Sequence, residues 1–259
     1  MKSVVAPVKN VKAFAIAGQA LLDASVHTPR IGVAFGRAGD GKSRTLSWWA
    51  TRTDAAYARA MAAWRTPGPM LESICLELGI APRVRHADTQ KLIAETLGRG
   101  ERPKPLVIDE ADYLVKHPEL LDTIRDIHDL SGASIWLIGM QQFVSKILSL
   151  KDQEQFVSRI SQVVEFKPLD REDAGTLIKA IADIEIDDGL IDRLHAEANG
   201  SARLLVVALE QIEKYAKPRG WKSVDRDQAK NLKFTLDRRP DLLDRLGLRG
   251  ADRDRPSAA

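Results

Sequence analysis

The sequence predicts an α/β fold, with a central parallel sheet flanked by helices and a small all-helical unit after it. Three observations predict it. Short apolar runs alternate with helix-period segments between residues 31 and 166, and that alternation belongs to parallel sheets covered on both faces. A glycine-rich turn at 36–43 joins the first of those runs to a helix. Beyond Pro168 only helical periodicity is left.

The elements follow in order. Residues 9–24 read as a lead-in and a helix, and Ile31-Gly32-Val33-Ala34-Phe35 as a strand. The glycine-rich turn then opens a helix at about Lys42, and a weaker strand lies at 55–62. Thr66-Pro67 starts a helix that stops near Gly79, because Pro suits an early helical position. A second helix covers 88–97. Pro103 and Pro105 break the chain before the strand Leu106-Val107-Ile108. A helix at 118–130, a strand at 133–138 and a strand at 163–166 complete the alternating part. Helices at 171–182, 188–198 and 201–215 come next. In the last of these Leu204, Leu205, Ala208, Leu209 and Ile212 form one apolar stripe. A final helix is expected at 225–234, and the polar tail from Gly250 reads as disordered. The expected division is an α/β core at 1–168, a helical lid with a basic C-terminal segment at 169–240, and a disordered tail at 241–259. No internal repeat is visible.

Composition bounds the function. The 259 residues are 44% hydrophobic and 29% charged, as in a soluble protein with a real core. No apolar run is long enough to span a bilayer, and the first residues lack the pattern of a signal peptide, so no membrane partner is expected. Cys75 is the single cysteine, which excludes an intrachain disulfide and a cysteine metal cluster. The five histidines show no metal-ligand spacing. These features point to the cytoplasm of a bacterial or phage-infected host cell.

Gly36-Arg37-Ala38-Gly39-Asp40-Gly41-Lys42-Ser43 matches G-x-x-x-x-G-K-[ST] in full. Glycines let the backbone curl so that N–H groups converge on phosphate oxygens, and the following helix adds its positive end. Lys42 would reach the β- and γ-phosphates of ATP, and Ser43 would give its hydroxyl to Mg²⁺. Leu106-Val107-Ile108-Asp109-Glu110 is an apolar strand that ends in two carboxylates. At the C-terminal end of a parallel strand, Asp109 would share the crevice and hold the Mg²⁺ shell, through water. Glu110 would then orient and deprotonate the attacking water. Two arginines extend the set. Arg203, in Gly200-Ser201-Ala202-Arg203, would contact the γ-phosphate from the lid. Arg159, in Phe156-Val157-Ser158-Arg159-Ile160, would act from a neighbouring subunit as an arginine finger. For each, a surface arginine in an ion pair is the alternative.

The P-loop, the strand Leu-Val-Ile-Asp-Glu-Ala-Asp at 106–112, Ser158-Arg159-Ile160 and Gly200-x-x-Arg203 together resemble an AAA+ ATPase, over roughly residues 8–235. Val8-Lys9-Asn10-Val11, Thr66-Pro67 and Leu78-Gly79-Ile80-Ala81-Pro82 look like the transposition-regulator group that includes phage Mu protein B, TniB and IstB, with ExeA-type ATPases nearby. The resemblance implies a P-loop AAA+ core with a helical lid, ATP and Mg²⁺ as cofactors, and a homo-oligomer or helical filament on double-stranded DNA. It implies that this filament activates a transposase. Two departures stand out. Mu B has an additional N-terminal DNA-binding region, whereas this sequence starts almost at the core. The polar sensor expected after the strand at 135–139 is replaced by Met140, so Gln141 would serve, with slow hydrolysis.

DNA contact is expected from the basic stretch that carries Lys214, Lys217, Arg219, Lys222, Arg226, Lys230 and Lys233, through sequence-independent phosphate neutralisation. Arg238, Arg239 and Trp221 lie in the same stretch. A solvated charged face, with Trp221 as a core anchor, is the competing reading. An ExeA-type secretion ATPase, a replication helicase or clamp loader, and a nucleotide-gated scaffold are the alternative functions.

Overall fold

The computed structural model describes residues 1–25, 27–150, 153–230 and 232. The chain runs α1 (Lys9–Asp23), β1 (Ile31–Gly36), α2 (Lys42–Thr53), β2 (Ala56–Arg59), α3 (Pro67–Leu78), α4 (His86–Leu97), β3 (Leu106–Asp109), a 3₁₀ turn (Ala111–Lys116), α5 (Pro118–Ser131), β4 (Ile135–Met140), α6 (Phe143–Ser149), α7 (Glu154–Val157) and β5 (Ile160–Phe166). Then follow α8 (Arg171–Ile181), β6 (Glu185–Ile186), α9 (Asp188–Ala198), α10 (Ala202–Ala216), a 3₁₀ turn (Lys217–Arg219) and β7 (Ser223–Val224).

The five long strands form one sheet in the order β2-β3-β4-β1-β5, and every pairing is parallel. Period-two alternation assigns the side chains to two cores. Ile31, Val33, Leu106, Ile108, Ile135 and Leu137 face α3–α7. Ala34, Val107, Trp136, Ile138 and Phe166 face Phe14 of α1 and Leu46 and Trp49 of α2. Trp49 is therefore core, packed edge-on to Phe14 at 5.8 Å.

Helices α8, α9 and α10 close a third core of their own around Leu190, Leu194, Leu205, Leu209 and Ile212. Their N-caps are well formed. Asp170 accepts from the Asp173 amide, Asp187 from Leu190 and Ser201 from Leu204. Ala6, Val8 and Val11, from the start of the chain, are buried in this helical cluster rather than under the sheet.

Four expectations need correction. Strand structure does not end at Pro168, because β6 and β7 pair in parallel with Ile186 opposite Val224. Two-residue strands are too short for a periodic signal; the backbone ladder and the burial of Val224 define them. The segment between β4 and β5, to which no element was assigned, holds α6 and α7. β5 begins at Ile160, ahead of its apolar stretch, since an edge strand alternates with solvent. The helix expected at 225–234 is a run of turns over 226–230. There the carbonyls of Ala229 and Leu232 accept from the Arg193 guanidinium at 2.9 Å, and the Ala229 carbonyl also accepts from the Leu232 amide at 3.0 Å. Residues 233–259, with Lys233, Arg238, Arg239 and the expected tail, lie outside the described residues. Among the described residues no helix is long and apolar enough to cross a membrane.

Candidate nucleotide-binding site

The C-terminal ends of β1, β3 and β4 point into one cavity of about 670 Å³ between the sheet and the lid. Open parallel sheets bind ligands at this edge. The P-loop forms its floor. Gly39 and Gly41 both take φ of +91°, a conformation other residues rarely adopt, and a Cβ on Gly39 would sit 2.7 Å from the Ser201 hydroxyl. At Gly36 a Cβ would meet the Phe166 carbonyl at 2.4 Å, so glycine is required by β5 as well as by the loop.

Lys42 is buried, and its ammonium donates to the carbonyls of Gly36 at 2.7 Å and Arg37 at 2.8 Å. Burial lowers its pKa; Asp40 and Asp109 offset part of that. A desolvated ammonium held by carbonyl oxygens alone suits an anion arriving over the loop. Asp40 is buried too. It accepts from the Arg37 amide at 3.0 Å, while its Oδ1 has no hydrogen-bond partner among the described residues. The Arg37 guanidinium donates to the Asn199 carbonyl at 3.1 Å and so ties the loop to the lid. Ala38 and Ser43 line the cavity directly.

Asp109 and Glu110 lie across the cavity from the loop. Asp109 accepts from the Tyr57 hydroxyl at 2.8 Å and from the Glu110 amide at 2.8 Å. Glu110 has φ of +55°, which turns the chain sharply after β3 and presents its carboxylate to the cavity. The Arg59 guanidinium donates to Glu110 at 3.3 Å. Asp112 accepts from the Met140 amide at 2.6 Å and thereby holds the end of β4.

Arg203 lines the same cavity, and its backbone amide donates to the Gly39 carbonyl at 3.0 Å. Arg159 stands at the opposite end of the sheet, at the start of β5, paired with Asp129 at 2.8 Å. Within the chain, then, the ion-pair alternative describes it. Gln141 is not brought to the cavity. Its amide donates to Glu165 on β5 at 3.3 Å, and Met140 forms the wall where a polar sensor was expected.

The basic stretch also departs from expectation. Lys214 pairs with Glu210 at 2.6 Å, and Lys217 with Asp183 at 2.6 Å and buried Glu213 at 2.9 Å. Arg219 stacks on Tyr215 at 3.6 Å, and Trp221 packs edge-on to Tyr215 as part of the lid core. Those three cations serve the lid itself, because α10 supplies acidic and aromatic neighbours one turn away. Lys222, Arg226 and Lys230 remain exposed.

Tyr57, Arg59 and Asp112 were not picked out from the sequence. The alternation Ala56-Tyr57-Ala58-Arg59 is a signal that puts Tyr57 and Arg59 on one face, but only the pairing of β2 with β3 brings them to Asp109 and Glu110. The lining by Met1 to Val5 had no signal at all.

The donor set fits a metal–nucleotide. Among the described residues no group of three or more His, Cys, Asp or Glu can hold a metal. A cation here would take oxygens from Ser43, Asp109, phosphate and water, which is the habit of Mg²⁺.

Comparison with known proteins agrees with this geometry. Residues 25–148 match the family described as an AAA domain. No curated protein matches the sequence. Among solved structures, the ORC2 protein of Aeropyrum pernix in its ADPNP–ADP complexes is similar with a TM-score of 0.68 and 17% identity, over 88% of this chain and 68% of that one. Cdc6p from Pyrobaculum aerophilum gives 0.63 and 19%, over 86% and 66%. The Aeropyrum pernix ORC1 protein in complex with DNA gives 0.58 and 17%, over 88% and 65%. This chain thus spans about two thirds of the length of each. The fold, a five-stranded parallel sheet flanked by helices, is consistent with a P-loop AAA+ core.

Proposed function

We propose that this chain binds ATP with Mg²⁺ between core and lid, hydrolyses it, and assembles on double-stranded DNA as a regulator of a transposase. The convergence of Lys42, Ser43, Asp109, Glu110 and Arg203 on one cavity carries the reading. In it Lys42 binds the β- and γ-phosphates, Arg203 the γ-phosphate, and Ser43 with Asp109 the metal. When bound, Mg²⁺ would supply charge neutralisation on the phosphates. Glu110 orients a water and takes its proton, while Arg59 holds the carboxylate in position. Arg159 acts in trans once a neighbouring subunit approaches the start of β5.

Support for the DNA part comes from exposed Lys222, Arg226 and Lys230, and from a fold shared with a chain solved in complex with DNA. Support for the transposition part comes from the motif resemblance at 8–11, 66–67 and 78–82. A replication-initiator role is the second reading, favoured by the fold likeness to ORC2 and Cdc6p.

Electron microscopy and ATPase assays of the purified protein, with ATP and with or without duplex DNA, test the proposal. Filaments that need both ligands, with turnover raised by DNA, are expected. No assembly on any duplex would remove the DNA-regulator reading, and assembly restricted to particular origin-like sequences would favour the second.

A further inference from the structure

Tyr57 stands on the face of β2 that looks toward α2, the helix that begins with Lys42 and Ser43. Its hydroxyl donates to Asp109 Oδ2 at 2.8 Å. Ser47 of α2 lies near the same phenol group. Ser47 is four residues beyond Ser43, hence on the same side of the helix. The other Asp109 oxygen accepts from the Glu110 amide at 2.8 Å. The carboxylate is therefore oriented at both oxygens by the protein, and each oxygen keeps a lone pair for a further partner.

We infer that Tyr57 is a positioning residue for the metal site, fixing Asp109 against the helix that carries Ser43 so that its carboxylate and the Ser43 hydroxyl would both serve the shell of a Mg²⁺ arriving with nucleotide. The inference rests on the Mg²⁺–ATP reading above and deepens it. Its consequence is selective. The hydroxyl governs the part of nucleotide affinity that depends on the metal. The part that comes from the P-loop amides and Lys42 does not pass through Asp109.

The experiment is a calorimetric titration of ADPNP into the parent and into Tyr57→Phe, once with saturating Mg²⁺ and once in excess EDTA. A removed hydrogen bond to a metal ligand should lower the gain in affinity due to Mg²⁺ by roughly tenfold in Tyr57→Phe, with affinity in EDTA unchanged. Electron paramagnetic resonance with Mn²⁺ and ADPNP should show a matching rise in free Mn²⁺. Equal losses with and without metal would make Tyr57 merely structural and overturn the inference, as would an unchanged gain. Should Tyr57→Phe fail to fold, Tyr57→Met, which also lacks the hydroxyl, takes its place. A loss confined to the metal-dependent gain supports the role, and an unaltered gain overturns it. A parent that binds no ADPNP in either buffer sinks the Mg²⁺–ATP reading and this inference with it, whereas a parent that binds while the variants match it sinks this inference alone.

Discussion

The amide of Arg203 donates to the carbonyl of Gly39 at 3.0 Å, so the first turn of α10 is fastened to the phosphate loop itself. With the hydrogen bond from Arg37 to the Asn199 carbonyl, the lid grips the loop at two points. A ligand that displaces the loop must move the lid. Gly39→Ala should therefore damage both. Its φ of +91° and the 2.7 Å approach to Ser201 leave no room for a methyl group. Left-handed backbone at a non-glycine residue costs about 1–2 kcal/mol before any clash. Denaturant unfolding should show a loss at least that large, together with weaker ADPNP binding. Parent-like values in both would disprove the coupling.

Lys42→Ala should remove most nucleotide affinity. Truncating one side of a buried charged contact costs about 2–5 kcal/mol, or roughly 30-fold or more in Kd. Calorimetry with Mg²⁺–ADPNP reads this directly, and a Kd within a factor of three of the parent (roughly 0.65 kcal/mol) would contradict the role given to Lys42.

Glu110→Gln should leave binding intact and slow turnover by about 10²–10⁴-fold, the range for loss of a general base. If a DNA-bound assembly forms, it should persist longer in this variant. Steady-state ATPase rates equal to the parent's would show that another group activates the water.

Acid should destabilise the fold through His128. Its ring Nδ1 lies 2.9 Å from the Ala133 carbonyl, and burial lowers its pKa from 6.5. The unfolded chain then takes up the proton first. Stability falls as pH drops through about 6.5 and levels off below the folded-state pKa. Unfolding midpoints at pH 7.5 and 5.5 should differ less in His128→Asn than in the parent. An identical pH dependence in both proteins would assign the effect elsewhere.

The basic stretch should split into two functional halves. Lys217→Ala removes one of the two cations that pair with Asp183 and buried Glu213, the other being the Met1 ammonium, so it should lower the melting temperature with little change in DNA affinity. Neutralising Lys222, Arg226 and Lys230 together should do the reverse, lowering the slope of log affinity against log salt by about one for each phosphate no longer neutralised. Fluorescence anisotropy with a labelled duplex at several salt concentrations separates the two. A slope unmoved by the triple variant would place DNA binding on another surface.

Much of this molecule was legible before any fold was known. The loop at 36–43 could be read because its chemistry is local: glycines for the curl, Lys42 and Ser43 at its end. Asp109 and Glu110 could be read because Leu106, Val107 and Ile108 form a wholly buried strand. The lid helices α8–α10 were legible through periodicity and caps such as Asp187 and Ser201. Tertiary structure alone decided the rest. Tyr57 and Arg59 reach the carboxylates only because β2 lies beside β3, a pairing between residues some fifty positions apart that no local pattern encodes. Gln141 turned to Glu165 because β5 lies in the same sheet beyond β1, and Lys217 turned to Asp183 because α8 and α10 pack together. Charge in a sequence records which groups can pair; which of them do pair depends on distances that exist only after the chain has closed on itself.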